Sequence, residues 1–484
     1  MELDGDRCYR ALLSRDRRFD GRFFTGVTTT GIYCRPVCPA PTPKRANVRF
    51  YPTAAAAQAA GFRPCLRCKP EHSAGTPAWP AVPEPVSRAL ALIGSGALDD
   101  GSVNDLAARV GVGGRQLRRL FDAHVGAAPL AVGRARRVHF AKRMLDETDR
   151  PVTEIAFAAG YGSVRSFNHD FAATFKRPPS EVRRTGRRGP AGAIAMRLAY
   201  RPPLDWSSLA SFVAVRATRG VEVVTADAYR RTIVADDAPG SIEIRFVPGE
   251  AHLMLTVTTA SPARLLGIVE RARRIADLGA DPMSIADSLS GDAFMAGLVR
   301  ARPGLRVPGA WDGFEVAVRA IVGQQVSVAG ATTVASRLVE LFGKPVETDL
   351  GPGLTHLFPS AATLASAEVE AAGLRGAQAD AIRALARAIC DGTLSIDASA
   401  GLDDLVSRMT RLPGVGDWTA HYVAMRACGE PDAFPASDLG LRKAAGDAAP
   451  ATARALTARA QAWRPWRSYA AMHLWRSLSD KETA

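Results

Sequence analysis

Apolar positions along this chain fall into three regimes. Between residues 86 and 184 they recur three and four apart, the spacing that lays them on one face of an α-helix, so helices are predicted there. From 194 to about 300 the period shortens. The segments "SIEIRFV" and "HLMLTVTT" alternate apolar and polar residues as strands do. "PARLLGIVERARRIADL" then returns to helical spacing as an amphipathic helix. From 312 onward nearly every segment carries the helical period. Ahead of these regimes, residues 1–72 are rich in Arg, Thr, Pro and Cys, and the Ala-rich "TAAAAQAA" reads as plain helix surface. "HSAGTPAWPAVPEP" (72–85) and "RRTGRRGPAGA" (183–193) read as linkers. The expected division is 1–76, 85–184, 194–306 and 307–480.

The helical block at 86–184 contains a duplication. Its first copy is "SVNDLAARVGVGGRQLRRLFDAHVG" (102–126), with Leu106, Ala107 and Val110 on one face, a break at Gly111, and Leu117, Leu120 and Phe121 on the next face. Its second copy is "PVTEIAFAAGYGSVRSFNHDFAATFKRPP" (151–179), where Ile155, Ala156 and Ala159 lead through Gly160 to Phe167 and Phe171. Two helices joined at a Gly turn make a helix-turn-helix, whose second helix can enter a major groove. One such pattern is weak, but two copies on a basic background carry more. The positions expected to face outward, and so able to reach bases, are Arg115, Gln116, Arg119, Ser163, Arg165 and His169.

Charge sharpens this picture. The chain of 484 residues has a net charge of +14. Residues 1–192 hold 31 Lys and Arg against 17 Asp and Glu, whereas the remainder holds 31 of each. The whole excess therefore sits in the first two-fifths, which points to nucleic-acid affinity there. The pair of helical hairpins resembles the AraC-type regulator domain, and "FNHDFAATFKRPPSEVRR" is similar to that family's closing signature. No apolar run approaches the roughly 18 residues of a membrane span, and the first residues lack a signal-peptide core. A soluble, cytoplasmic, nucleoid-associated bacterial protein is expected.

Four of the seven cysteines lie close together: Cys34 and Cys38 in "GIYCRPVC", then Cys65 and Cys68 in "RPCLRC". The spacing C-x3-C, 26 residues, C-x2-C is that of a tetrahedral zinc site. Taken alone it fits a structural staple without chemistry. However, "RRFDGRFFTGVTTTGIYCRPVCPAP" and "NVRFYPTAAAAQAAGFRPCLRCKP" resemble the N-terminal domain of Ada-type alkylation-response proteins over residues 1–72. The resemblance implies one zinc per chain on Cys34, Cys38, Cys65 and Cys68. It also implies that Cys34 irreversibly accepts a methyl group from a DNA methylphosphotriester. Four thiolates around one zinc carry about −2, which repels ordinary phosphodiesters and leaves an uncharged triester free to approach. Methylation takes the site to about −1 and should strengthen DNA binding.

In the C-terminal half, "LPGVGDWTAHYVAMRA" (412–427) joins two helical patterns through a turn in which Gly414 and Gly416 would let a phosphate approach. "AFPASDLGLRK" follows about 20 residues later with Asp438, which could equally be a helix N-cap. The pairing is similar to the signature of helix-hairpin-helix base-excision glycosylases. "RPPLDWSSLASFVAVRA", "ARPGLRVPGAWDGFEVAVRAIVGQQVSVAGA" and "WRPWRSYAAMHLWRSL" resemble AlkA-type 3-methyladenine glycosylases over about 196–478. Trp418 stands where related lyases carry a Schiff-base Lys, and Cys390 and Cys428 are too few for an iron–sulfur cluster. The resemblance therefore implies a monofunctional glycosylase. Asp438 would stabilise the sugar cation, and Phe212, Trp418, Tyr422 and Trp475 would stack on a flipped cationic base. Ordinary core packing is the alternative for those rings. Gln325 occupies a position where some relatives place an apolar wedge, and Gln stacks less well.

The expected fold class is multidomain: a small α/β zinc domain, an all-α double helix-turn-helix, an α+β antiparallel-sheet domain and an all-α helix-hairpin-helix core. The expected function is an activator of the alkylation response fused to a glycosylase that releases bases of the 3-methyladenine and 7-methylguanine type and leaves abasic sites. Double-stranded DNA, both alkylated and promoter sites, is the expected partner, with RNA polymerase for activation and no membrane. No "PCHR" segment is present, so direct O6-methylguanine repair is not expected. The rivals are a pure regulator with an inactive glycosylase scaffold, and a glycosylase tethered to DNA by an inert zinc module.

Overall fold

The computed structural model describes residues 3–74, 82–183, 193–446 and 449–483. Residues 75–81 and 184–192, within the two expected linkers, lie outside the described residues. The chain forms two compact units. One comprises residues 1–202, 247–273 and 278–281; the other comprises 203–246, 274–277 and 282–484. Among the described residues no helix is long and apolar enough to cross a membrane.

The first unit begins with α1 (Gly5–Ser14), capped by the Asp4 carboxylate on the amides of Asp6 and Arg7. Four short strands follow, β1 (Phe24–Val27), β2 (Ile32–Cys34), β3 (Val48–Tyr51) and β4 (Arg63–Pro64), with α2 (Ala54–Ala59) between the last two. Their order in the sheet is β3-β1-β2-β4. β1 runs antiparallel to β2 and β3, while β4 lies parallel to β2 with Tyr33 opposite Pro64. That register brings the two cysteine pairs together, since the Cys65 amide donates to the Tyr33 carbonyl at 3.0 Å. The Ala-rich stretch departs from expectation. Ala55, Ala56 and Ala57 are buried, and Ala55 packs with Ala127 and Ala135. Methyl side chains allow a close approach that larger residues would block, so this alanine run is an interface inside the unit and not helix surface.

Six helices make the duplicated block: α3 (Glu84–Gly94), α4 (Val103–Arg109), α5 (Gly114–His124), α6 (Pro129–Glu147) and, in the second copy, α7 (Val152–Ala158) with α8 (Val164–Phe175) after α6. α4 starts at a capping box in which Ser102 and Asp105 bond each other's backbone amides. Gly111 and Gly160 turn the chain at φ +77° and +83°, a region that side-chain-bearing residues avoid. Leu106, Ala107, Val110, Leu117 and Phe121 are buried in the first copy, and Ile155, Ala156, Ala159, Phe167 and Phe171 in the second; Leu120 is only partly covered. α6 is the long helix that both hairpins share.

Five more strands lie between residues 193 and 258: β5 (Ala193–Ala199), β6 (Glu222–Val224), β7 (Ala228–Ala235), β8 (Ala238–Phe246) and β9 (His252–Thr258). β5 and β9 pair antiparallel in the first unit, Met196 opposite Leu255, and bury Leu253, Leu255 and Val257 on one face as the alternation predicts.

In the second unit β6, β7 and β8 form an antiparallel meander. α9 (Trp206–Ala214) precedes it, and a helical array follows: α10 (Gly313–Val322), α11 (Val328–Phe342), α12 (Gly376–Cys390), α13 (Leu402–Thr410), α14 (Asp417–Val423), α15 (Leu439–Ala444) and α16 (Arg467–Thr483). One small departure interrupts the helical run expected after 312: Lys344–Pro345 pairs with His356–Leu357. α10 is the centre of this unit, with Phe314 to Ile321 almost wholly buried.

Candidate functional site

The first candidate is the cysteine cluster. β2 ends at Cys34, Cys38 follows on the next turn, and Cys65 and Cys68 follow β4. Their four Sγ atoms all lie within 4.8 Å of one another. A tetrahedron with Zn–S bonds of about 2.3 Å has edges of about 3.8 Å, so the residues fit one zinc ion per chain. Cys38, Cys65 and Cys68 are buried residues, whereas Cys34 is partly exposed. The Arg35 amide points at the Cys68 sulfur at 3.4 Å. The Arg35 guanidinium pairs with Asp20 and bonds the Cys68 carbonyl at 3.3 Å, which braces the cysteine loop.

This cluster is joined to α6. Tyr33, the residue before Cys34, is fully buried; its hydroxyl, the Gln58 amide and His139 Nε2 on α6 meet at 2.8 to 3.0 Å. Burial pushes His139 down to about 4, so its ring is neutral. One turn along, Lys142 Nζ lies 2.6 Å from Asp146 and 3.5 Å from Glu71, and Lys69 lies 2.9 Å from Asp146. Glu71, His72 and Asp146 satisfy metal-ligand distances, but these lysines already neutralise the carboxylates. The contacts of Tyr33, Gln58 and His139 are long-range in sequence, and no local pattern announces them.

On the helix-turn-helix pair, Arg115, Gln116 and Arg119 on α5 and Arg165 and His169 on α8 are exposed, as a groove-reading face requires. Ser163 is exposed too, but its hydroxyl caps α8 on the Ser166 amide at 3.2 Å. Its structural task is therefore the cap.

The second candidate is a cavity of about 260 Å³ in the second unit, lined by Trp418, Tyr422, Asp438 and Trp475 among others. The hairpin builds it. α13 and α14 meet at a turn where Gly414 takes φ +74° with its Cα against Ala381, a space closed to a side chain. Trp418 and Tyr422 then fall one turn apart on α14 and stack at 5.3 Å with planes 9° apart. Trp475 on α16 stands 6.3 Å from Tyr422 and 6.3 Å from Phe212. All four rings are partly exposed; Trp418, Tyr422 and Trp475 line the cavity, whereas Phe212 does not. Asp438 caps α15 on the Leu441 amide at 2.9 Å, and it also accepts both indole N–H groups, Trp418 at 2.8 Å and Trp475 at 2.9 Å. Asp438 is thus a helix N-cap that also lines the cavity. Each carboxylate oxygen is held by one indole, which aims the group at the cavity.

Gln325 sits at the tip of the loop between α10 and α11, exposed and at φ +60°. Its neighbours Val326 and Val328 are exposed and line the cavity. Gln324 braces this loop against the hairpin by donating to the Gly414 carbonyl and the Thr419 hydroxyl at 2.9 Å each.

Several pocket residues escape sequence reading. Arg216 and Arg426 each follow a pocket ring by four residues, in "FVAVR" and "YVAMR", and that repeated spacing was the available signal. Arg426 donates to the Tyr422 hydroxyl at 2.6 Å and to the carbonyls of Pro308 and Gly309. Beneath them Arg231 and Arg319 pair with Glu222 and Glu315. Burial would raise the Tyr422 phenol, but Arg426, Arg216 and Arg319 outweigh it and hold the phenol below its ordinary value.

Family models match four successive segments: the metal binding domain of Ada at 7–71, a helix-turn-helix domain at 106–185, the AlkA N-terminal domain at 195–312, and the HhH-GPD superfamily of base excision DNA repair proteins at 318–468. A Mycobacterium tuberculosis protein named "Probable bifunctional transcriptional activator/DNA repair enzyme AlkA" is 42% identical over 99% of this chain and 97% of its own. DNA-3-methyladenine glycosylase 2 of Escherichia coli is 32% identical over 57% of this chain and 95% of its own. Among solved structures, a 3-methyladenine DNA-glycosylase from Archaeoglobus fulgidus shares the fold, with a TM-score of 0.51 and 21% identity over 60% of this chain and 99% of that one. The cysteine cluster falls inside the first of these matched segments and Trp418, Tyr422 and Asp438 inside the last, with Phe212 and Arg216 contributed by the third, and the chain belongs to the family of AlkA-type bifunctional transcriptional activator/DNA repair enzymes that carry an Ada-type metal-binding domain.

Proposed function

We propose that this chain is a damage-responsive transcriptional activator and a monofunctional DNA glycosylase in one polypeptide. Its working division is a methyl-acceptor domain at 1–76, a DNA-binding domain at 85–184, an α+β domain at 194–306 and a helix-hairpin-helix glycosylase at 307–480.

In the first activity the cysteine cluster holds a zinc ion that keeps Cys34 as a thiolate. The Cys34 sulfur attacks the methyl carbon of a DNA methylphosphotriester. A C–S bond forms, the C–O bond breaks, and the phosphate leaves as an ordinary diester anion. The partial exposure of Cys34, against burial of the other three, supports this assignment. The cluster loses one negative charge, and DNA binding tightens. Arg115, Gln116, Arg119, Arg165 and His169 contact promoter DNA, and RNA polymerase is the partner in activation. The protein works in the cytoplasm at the nucleoid.

In the second activity an alkylated base turns out of the duplex into the cavity. The Gly414–Gly416 turn lies against the DNA backbone, with Gln325 and its valine neighbours at the gap. Asp438 stabilises positive charge on the sugar as the bond from C1′ to the base nitrogen breaks, and it directs water to C1′. The observation that carries this reading is the Asp438 carboxylate held by two pocket indoles at 2.8 and 2.9 Å. With Trp418 in place of a lysine, an abasic site is left intact. The test is release of methylated bases from duplex DNA by wild type and Asp438→Asn. Loss of the charge with retention of shape should lower excision roughly a hundredfold or more. Full activity in Asp438→Asn, or strand cleavage through a borohydride-trappable adduct, would overturn it.

A further inference from the structure

The α+β domain meets the two modules before it through backbone groups and buried arginines. β5 is the end strand of its sheet, with β9 on one side. An end strand leaves backbone groups on its other edge without a strand partner. At Arg197 α6 supplies the partners: the amide donates to the Glu147 carboxylate at 2.8 Å, and the carbonyl accepts from the Arg143 guanidinium. The other Glu147 oxygen lies 3.2 Å from His72 Nδ1, in the turn that follows the cysteine cluster. One carboxylate therefore touches three modules. Two arginines of the α+β domain repeat this arrangement. Arg273, on the helix Leu265–Ile275 and 12% exposed, donates to the Ala199 carbonyl at the end of β5 at 3.1 Å and to the Ala74 carbonyl of the metal-binding module at 2.7 Å. Arg201, 1% exposed, donates to the Gly279 carbonyl at 2.6 Å and to the Asp20 carbonyl at 3.4 Å. In the reverse direction Arg22 of the metal-binding module pairs with the buried Asp281. The Arg264 amide reaches the Phe157 carbonyl of α7 at 3.3 Å. All of these residues belong to the first unit.

A guanidinium bonded to carbonyls on two chain segments ties those segments together. Its removal leaves buried acceptors without a donor, which costs more than the bond contributes when made. The joint also reaches the cysteine cluster, because Asp20 holds Arg35, and Arg35 bonds the Cys68 carbonyl at 3.3 Å. We propose that the α+β domain has a second function: through β5, Arg201, Arg273 and Asp281 it clamps the metal-binding module onto the helix-turn-helix domain and so holds the cysteine cluster in place. The regulatory segment is thereby completed by residues beyond 193. This stands independently of the glycosylase reading, since none of the clamp residues lines the base cavity.

The test is hydrogen exchange of the zinc-loaded full chain, read by mass spectrometry for wild type, Arg273→Met and Asp281→Asn. In both variants the amides of residues 48–74 and of α6 should exchange at least about tenfold faster, although the substitutions lie some 120 or more positions away in sequence. Those of α10 and α14 should exchange as in wild type. Transfer of zinc to excess EDTA should quicken along with the exchange of 48–74. Asp281→Asn leaves both arginines in place, so it reads the joint at a second contact and covers the case in which Arg273→Met does not fold. Three results would overturn the proposal. One is faster exchange confined to β5, β9 and the helix Leu265–Ile275, which would make these residues local packing. Another is equal acceleration throughout the chain, α10 and α14 included. The third is exchange and zinc transfer that match wild type in both variants.

Discussion

Lys142 offers a measurable test of how the metal-binding module is locked to the DNA-binding helix. Its side chain is 3% exposed and its ammonium sits between Asp146 and Glu71, whose side chains are each 1% exposed, at 2.6 and 3.5 Å. Replacing it by Met keeps the unbranched stem and removes the ammonium. Two buried carboxylates then share one site, with Lys69 and His72 as the remaining neighbours of Asp146. Removing one partner from a buried ion cluster costs about 3–5 kcal/mol. The cost depends on pH, and its sign follows from the two acids. Burial raises the Glu71 carboxyl above its ordinary value, and Lys142 is the chief influence opposing that rise. Without Lys142 the folded form holds the Glu71 proton to higher pH, so stability declines as pH climbs from about 4.5. For Asp146, burial pushes up but bonds to His72, Lys142 and Lys69 win and hold it low, so its contribution is present above about pH 3.8 and disappears in acid. Lys142→Met should therefore cost the full about 3–5 kcal/mol near pH 8 and clearly less near pH 5. Hydrogen exchange of the α6 amides, with urea unfolding of the full chain, reads this directly. A loss below about 1 kcal/mol at pH 8, the size of an exposed ion pair, would refute the reasoning. So would a loss that does not change between the two pH values.

Two further outcomes are expected. Incubation with methylphosphotriester DNA should add one methyl group, on Cys34, as read by mass spectrometry; a methyl on Cys38 or Cys68 would move the acceptor, and promoter affinity should rise on methylation, most at low salt. Trp475→Phe keeps a ring in the cavity but removes the 2.9 Å N–H bond to Asp438; a hydrogen bond to a charged group is worth about 1.5–3 kcal/mol, so excision should fall roughly tenfold or more while DNA affinity holds.

Much of this protein was determined by local sequence. The helix-turn-helix copies, the strand alternation of β9 and the cysteine spacing are short-range patterns, because each element buries a face whose period it must repeat. The metal ligands and the Asp438 neighbourhood were legible for the same reason, since motif spacing encodes a local turn. What lay beyond reach depends on chain segments far apart. That the alanines of α2 are an interface follows only from the approach of residues near 130. That Tyr33 touches His139 needs a contact across 106 positions. That Asp438 is held by indoles 20 and 37 residues away needs α14, α15 and α16 packed together. The charge of the base pocket belongs to the same class. Composition counts arginines and aromatics alike, but only the tertiary structure decided that Arg216 lies over Phe212 while Arg231 and Arg319 pair with Glu315 and Glu222, because electrostatic environment is set by distance in space and not along the chain.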